Sequence, residues 1–211
     1  MAPSTPTRPI RFHRFPLSGH CHRVELLLSL LELPVEVVEV DLLRGAQRSP
    51  AFLSLNPFGQ VPVIEDGDVV MADSNAILVY LAATYGGARW LPTDGRELGE
   101  LQRWFSIAAG PLAFGAAAAR VHQLYARPGD ITPARQRAHA LLVTMDAHLA
   151  ARRFLLGSEL SLADVANYGY TAHAPEGGVR LDEYPHVRAW LARIEATPRF
   201  VPMLRSPVPQ S

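Results

Sequence analysis

The stretch Asn56 to Ile77, N-P-F-G-Q-V-P-V-I-E-D-G-D-V-V-M-A-D-S-N-A-I, decides how the first part of the chain folds. It opens with a turn, Asn56-Pro57-Phe58-Gly59, and runs into a short apolar strand, Val61-Pro62-Val63-Ile64. Asp66-Gly67 lies before a second strand, Val69-Val70-Met71, and this dipeptide between apolar runs is a strong short-range hairpin signal. Asp73-Ser74 then cap a helix whose inner face carries Ile77, Leu78, Leu81 and Tyr85.

Pro62 is out of place inside an apolar strand, because it has no N–H to give the ladder. It belongs at a strand start or edge, and a cis Val61-Pro62 bond is one way to turn the chain there. Val61 is then free to offer its own backbone N–H and C=O to an extended ligand, as in strand addition. About a dozen residues later a helix starts with a carboxylate and a hydroxyl, where backbone N–H groups favour an anion. Together these features suit a small peptide with a free carboxylate. An edge-strand proline and an ordinary N-cap explain each half alone, but not their pairing across one hairpin.

On these residues the chain closely resembles the glutathione-binding half of the cytosolic glutathione S-transferase superfamily. The resemblance implies a residue before a cis-proline that pairs its backbone with the cysteinyl unit of glutathione, here Val61 before Pro62. It also implies an acidic-Ser pair at the next helix, here Asp73-Ser74, for the γ-glutamyl end. The family more often has Glu where Asp73 stands. The resemblance covers nearly the whole chain. It implies an α/β thioredoxin-like N-terminal domain plus an all-α C-terminal helical domain.

Composition bounds the alternatives. The 211 residues are 48% hydrophobic and 19% charged, enough apolar content for a packed core. Twenty basic and twenty acidic residues cancel, which removes the general electrostatic case for nucleic acid or an anionic membrane as partner. A single cysteine excludes an internal disulfide framework and fits a reducing compartment. Residues 1–9 read as a flexible, proline-rich tail without the apolar run of a signal peptide. No stretch is expected to reach transmembrane length, so a soluble cytoplasmic protein is the expectation.

In chain order, Ile10 to Phe15 reads as a first strand with Ile10 and Phe12 on one face. Ser18 caps the helix carrying Val24, Leu27, Leu28 and Leu31. Val35 to Asp41 is a second strand, parallel to the first through a right-handed crossover. Residues 44–55 are less regular, with one short helix. This domain spans residues 10–86, and a breaker-rich linker spans 87–95. Residues 96–211 read as all helical. Leu98, Leu101, Trp104, Phe105 and Ala108 lie inside a helix that Pro111 is expected to bend or divide. Thr132-Pro133 starts a helix burying Ala138, Leu141, Leu142, Met145 and Leu149. Ser161 to Asp164 has the form of a capping box, with Leu160 and Val165 as a hydrophobic staple. Tyr184-Pro185 starts the last helix, with Val187, Trp190, Leu191 and Ile194 inside.

Ser18 is the candidate catalytic residue. A hydroxyl at a helix N-terminus donates well to a sulfur anion, and both the hydrogen bond and the helix dipole lower a thiol's pKa. Ser18 is equally placed to be a plain N-cap. The resemblance implies the former, matching L-S-G-H-C-H-R-V to the bacterial serine-type members (theta-, zeta- and beta-like). Cys21 competes: Ser18-Gly19-His20-Cys21 has C-x-x-C spacing with the first cysteine replaced, so no dithiol cycle can run. Cys21 either packs or forms a mixed disulfide with glutathione. His13, His20 and His22 crowd the same region, but without a completing carboxylate or second cysteine no metal is expected.

The far carboxylate of glutathione needs a cation or an amide, and Arg44, Gln47, Arg48 and Gln60 are at hand. The resemblance favours Arg48 and Gln60. Arg44 and Arg48 fit a solvated surface equally well. Phe15, Trp104, Ile107 and Phe114 are candidates for the apolar wall of a second-substrate pocket, or else core. The function implied is a transferase that takes glutathione as co-substrate, adds its thiolate to a small apolar electrophile, and forms a homodimer. The same thiolate would serve an isomerase, dehalogenase or peroxidase. A non-catalytic glutathione-binding or assembly module of this fold is the rival from another class.

Overall fold

The computed structural model describes residues 5–209, so part of the expected tail at residues 1–9 lies outside the described residues. The chain divides into two compact units, Met1–Thr93 with Pro198–Met203 and Asp94–Thr197 with Leu204–Ser211.

The first unit is thioredoxin-like. Strand β1 (Ile10–Arg14) leads through helix α1 (Gly19–Leu30) to β2 (Val35–Glu39). A 3-10 turn (Ala46–Arg48) and helix α2 (Pro50–Leu55) precede the hairpin of β3 (Val63–Asp66) and β4 (Val69–Ala72), which feeds α3 (Ser74–Leu81). The sheet order is β2-β1-β3-β4, with β1 parallel to β2 and antiparallel to β3. Ile10, Phe12, Val24, Leu27, Ile64 and Ile77 are wholly buried, so the residues expected on the inner faces meet there. Strand β3 starts at Val63 rather than Val61, since Pro62 cannot donate to the ladder.

The segment Pro198–Met203 is part of this first unit. The His22 ring donates from Nε2 to the Val201 carbonyl (2.8 Å), and the Ser29 hydroxyl donates to the Arg199 carbonyl (2.8 Å). Two residues of α1 are thereby tied to a stretch of chain far away in sequence.

The second unit is helical. It contains α4 (Gly95–Ile107), α5 (Ala118–Leu124), α6 (Thr132–Leu149), α7 (Leu162–Ala172) and α8 (Pro185–Glu195). Around Pro111 the regular α-helix is interrupted, but helical structure does not end. A run of π-helical turns, Ala108–Ala117, contains the proline and joins α4 to α5. The resulting helix, Gly95–Leu124, is long and apolar enough to cross a membrane by length and composition, which corrects the expectation that no stretch reaches that length. Half of its most apolar window is buried inside the structure. Leu98, expected inside, is 38% exposed. Thr132 is the first helical residue of α6 rather than its cap, and its N–H is taken by the Asp130 carboxylate at 2.8 Å.

The capping box at Ser161 forms as the spacing demands, and it does more than cap. Asp164 is fully buried, with one carboxylate oxygen accepting the Leu155 N–H and the Trp190 indole N–H, each at 2.8 Å. The other accepts the Ser161 N–H (2.8 Å) and hydroxyl (2.6 Å). Burial pushes the Asp164 pKa up while these four donors oppose it. A second buried polar cluster joins Arg120 to Glu176 (2.6 Å), with His173 and the Ser206 hydroxyl on the same carboxylate. Replacing Asp164 by Ala leaves the donors of Leu155, Ser161 and Trp190 without their acceptor, a loss of about 3 kcal/mol or more of unfolding free energy. Urea unfolding of that variant checks this, and an unmoved midpoint would contradict it.

Candidate functional site

The site residues of the first unit gather where β3 begins, where α1 begins and where α3 begins. The Val61-Pro62 peptide is cis. Among the described residues, neither the N–H nor the C=O of Val61 makes a hydrogen bond, and Val61 stands just outside the ladder. The turn before it is held by Asn56, which is 3% exposed. Its amide donates to the Gln60 carbonyl (2.8 Å) and its side-chain oxygen accepts the Phe58 N–H (3.1 Å). Gly59 has φ +62°, and a Cβ there would press on the Gln47 carbonyl at 3.2 Å. Asn56 was missed in the sequence as more than a turn former; the signal was a side-chain amide two residues before Phe58, the pattern of an Asx-turn.

Asp73 caps α3, its carboxylate accepting the Asn75 and Ala76 N–H groups at 2.9 and 3.0 Å. Its backbone lies at φ 69°, ψ 124°, a conformation costing a non-glycine residue about 1–3 kcal/mol. Asp73 is exposed, whereas Ser74 is 5% exposed. The Ser74 oxygen accepts from the Arg23 guanidinium (3.3 Å) and lies 3.3 Å from His20 Nδ1. Arg23 also donates to the Asn75 side-chain oxygen at 2.8 Å. Arg23, 1% exposed, was not singled out in the sequence, though an arginine directly before Val24, on the helix that carries Leu26 to Leu28, was the available signal. Burial, then the Arg23 charge, pushes the His20 pKa down to about 3, with Asp73 pulling the other way.

Ser18 is the N-cap of α1, and its oxygen accepts the Cys21 N–H at 3.3 Å. Cys21 is 1% exposed, and burial pushes its thiol up to about 11, against a hydrogen bond from Ser18. At neutral pH it is a packed, protonated thiol. The three histidines point to three different places: His13 to Glu65 at 2.6 Å, His20 to Ser74, and His22 to Val201.

The remaining candidates are scattered. Arg48 and Gln60 are exposed, and Arg44 is paired loosely with Asp41 at 3.5 Å. Gln47 Oε1 is enclosed with no hydrogen-bond partner among the described residues. Phe15 and Ile107 are half-buried and Phe114 is 64% exposed. Trp104 is 2% exposed, edge-on to His148 with ring centroids 5.1 Å apart, so it is a core side chain of the helical unit with little surface for a ligand.

Comparison with known proteins agrees with this geometry. Residues 12–89 match the glutathione S-transferase N-terminal domain, and residues 130–198 match the glutathione S-transferase C-terminal domain. The chain is 36% identical to glutathione S-transferase 3 of Zea mays, covering 91% of both chains. It is 30% identical to glutathione S-transferase F9 of Arabidopsis thaliana, covering 82% of this chain and 87% of that one. Among solved structures, a glutathione S-transferase from Pseudomonas fluorescens superposes with a TM-score of 0.87 at 35% identity, covering 93% of this chain and all of the other. The chain belongs to the glutathione S-transferase family.

Two outcomes are expected from the electrostatics. The Cys21 thiol should resist alkylation by iodoacetamide in the native protein and react only on unfolding, and rapid native modification would contradict its burial. For His20, a folded pKa near 3 against about 6.5 unfolded means that the unfolded chain takes up the proton first. Its contribution to stability is therefore complete above about 6.5 and declines as pH falls toward 3. His20→Asn should flatten the fall in melting temperature across that window, and an unchanged slope would count against the assignment.

Proposed function

We propose that this protein binds glutathione along the unpaired start of β3, ionises its thiol beside Ser18, and adds the thiolate to a small apolar electrophile. The observation that carries this reading is Val61, whose backbone donor and acceptor are both unspent beside the Asp73-Ser74 corner. Such a backbone pair suits the peptide unit of an extended ligand. The corner, with a carboxylate for an ammonium group and a helix start for a carboxylate, suits an amino-acid head group. The names of the relatives from maize and Arabidopsis agree with it.

Ser18 is the catalytic residue in this reading, which makes the protein a serine-type member. A free thiol ionises at a pKa of about 8.5, so only a few per cent is nucleophilic at neutral pH. The Ser18 hydroxyl would donate to the sulfur as charge develops there, and the N-terminus of α1 adds its dipole. The thiol proton leaves to water and the sulfur bonds to the electrophilic carbon; in a substitution the leaving group departs with its bonding electrons, and in an addition the carbanion formed takes a proton from water. Arg48 and Gln60 are proposed for the glycine carboxylate, and Phe15 for contact with the electrophile. The two domains are taken as residues 10–86 and 96–211, joined by 87–95, in a cytoplasmic homodimer. The exposed Val70 and Val79 on β4 and α3 support a partner on that side of the first unit.

Three measurements test this. Ser18→Ala should raise the pKa of bound glutathione by about one unit or more and cut turnover at least tenfold, with glutathione affinity nearly kept. Cys21→Ala should keep turnover within about threefold of the parent; a collapse there, with Ser18→Ala unaffected, would move the chemistry to the cysteine. In sedimentation, the parent should run as a dimer of the 23.1 kDa chain and Val79→Arg should run as a monomer. A monomeric parent would overturn the dimer.

A further inference from the structure

His22 is a buried polar residue of α1 to which the proposed reaction gives no task. Its ring is 2% exposed, in a place that an apolar side chain would fill with no polar atoms to satisfy. Nε2 lies 2.8 Å from the Val201 carbonyl oxygen, and since a carbonyl only accepts, Nε2 carries the proton. The backbone N–H of His22 donates in turn to the Ser18 carbonyl at 2.9 Å. One residue therefore joins the N-cap of α1 to the segment Pro198–Met203 of the first unit.

That segment is itself held. The Ser29 hydroxyl donates to the Arg199 carbonyl at 2.8 Å, and the Arg199 guanidinium pairs with Glu32 at 2.5 Å. His22 and Ser29 are seven residues apart, about two helical turns, and so share one face of α1. Arg199 sits at φ +66°, a left-handed conformation that few non-glycine residues adopt. The segment runs back along α1, from Glu32 beyond its end to His22 near its start. The Val201 carbonyl is thus a fixed acceptor, and a ring bonded to it is fixed with it.

The bond from the His22 N–H to the Ser18 carbonyl closes the opening turn of α1, and the ends of helices are where such bonds open most readily. Ser18 tolerates little movement if its hydroxyl is to meet a sulfur, since misplacing a reacting group by about 1 Å can cost about 100-fold in rate. We propose that His22 is a positioning residue for the transferase reaction: anchored to Val201, it keeps the opening turn of α1 closed and the Ser18 hydroxyl in line with the glutathione sulfur. This rests on the reading of Ser18 as the catalytic residue, and His22 acts only through it.

The test is a double-mutant cycle on the full chain, read as the pKa of bound glutathione from the ultraviolet absorbance of its thiolate. Cys21, its thiol pushed up to about 11, adds nothing to that signal near neutral pH. His22→Leu should raise the bound-thiol pKa by about half a unit or more and lower kcat about 5- to 20-fold, with glutathione affinity kept within about threefold. Added to Ser18→Ala, the same change should move neither quantity further. His22→Gln, whose amide can still donate to Val201, should lie between the parent and His22→Leu. An unmoved thiol pKa in His22→Leu, or an equal loss with and without Ser18, would overturn the proposal. So would a fall in melting temperature alone, the mark of a histidine that only stabilises the fold. Should His22→Leu not fold, His22→Phe keeps a ring in the same space without the donor and is held to the same outcomes. Ser18→Ala is measured first: an unmoved thiol pKa there would remove the reading of Ser18 itself, before any His22 variant is compared.

Discussion

Pro62 has no amide hydrogen, and the arrangement of the first unit follows from that. Pairing between β1 and β3 begins at His13 with Val63, so the chain just upstream has no ladder to join. Val61 is left with an unspent donor and acceptor, among the described residues, just beyond the end of the β1–β3 ladder. Orphaned backbone groups are rare in folded proteins because they cost free energy unless water or a partner takes them. Here Asn56 spends its whole side chain keeping the turn in place.

The two helices that close on this edge are coupled by polar contacts across an apolar core. Helix α1 brings Ser18, His20, Cys21 and Arg23 to one end, and α3 brings Asp73, Ser74 and Asn75. Desolvation sorts these groups into roles. It keeps the Cys21 sulfur protonated and His20 neutral, so the titratable side chains beside Ser18 carry little charge at neutral pH. Arg23 and Asp73 are the charged groups that act on His20, in opposite directions. The enclosed thiol of Cys21 is held in its protonated, unreactive form by burial. The helical unit is organised separately, around an aspartate that takes four donors from three parts of the chain.

Most of the scaffold was legible in the sequence because its signals are local. Asp66-Gly67 between apolar runs, the serine ahead of α1, the Ser161–Asp164 box and the three- and four-residue apolar spacing each act over a few residues, and the elements formed where they indicated. Interactions between distant positions were not legible. Nothing in the order of residues shows that Arg23 reaches Ser74, or that His22 reaches Val201. Trp104 shows the same limit from the other side, since apolar spacing cannot tell a core tryptophan from a pocket wall. Around Pro111 regular α-helix gives way to wide helical turns that absorb the missing donor, a tertiary outcome that no local rule anticipates.

The central claim is that a tripeptide lies along the unfinished edge at Val61 with its sulfur at the mouth of α1. A crystal structure of the protein with glutathione tests it most directly. The account predicts the cysteinyl N–H and C=O paired with the Val61 backbone, and the sulfur within hydrogen-bond reach of the Ser18 oxygen. Glutathione bound elsewhere, or seated there with its sulfur turned away from Ser18, would contradict it.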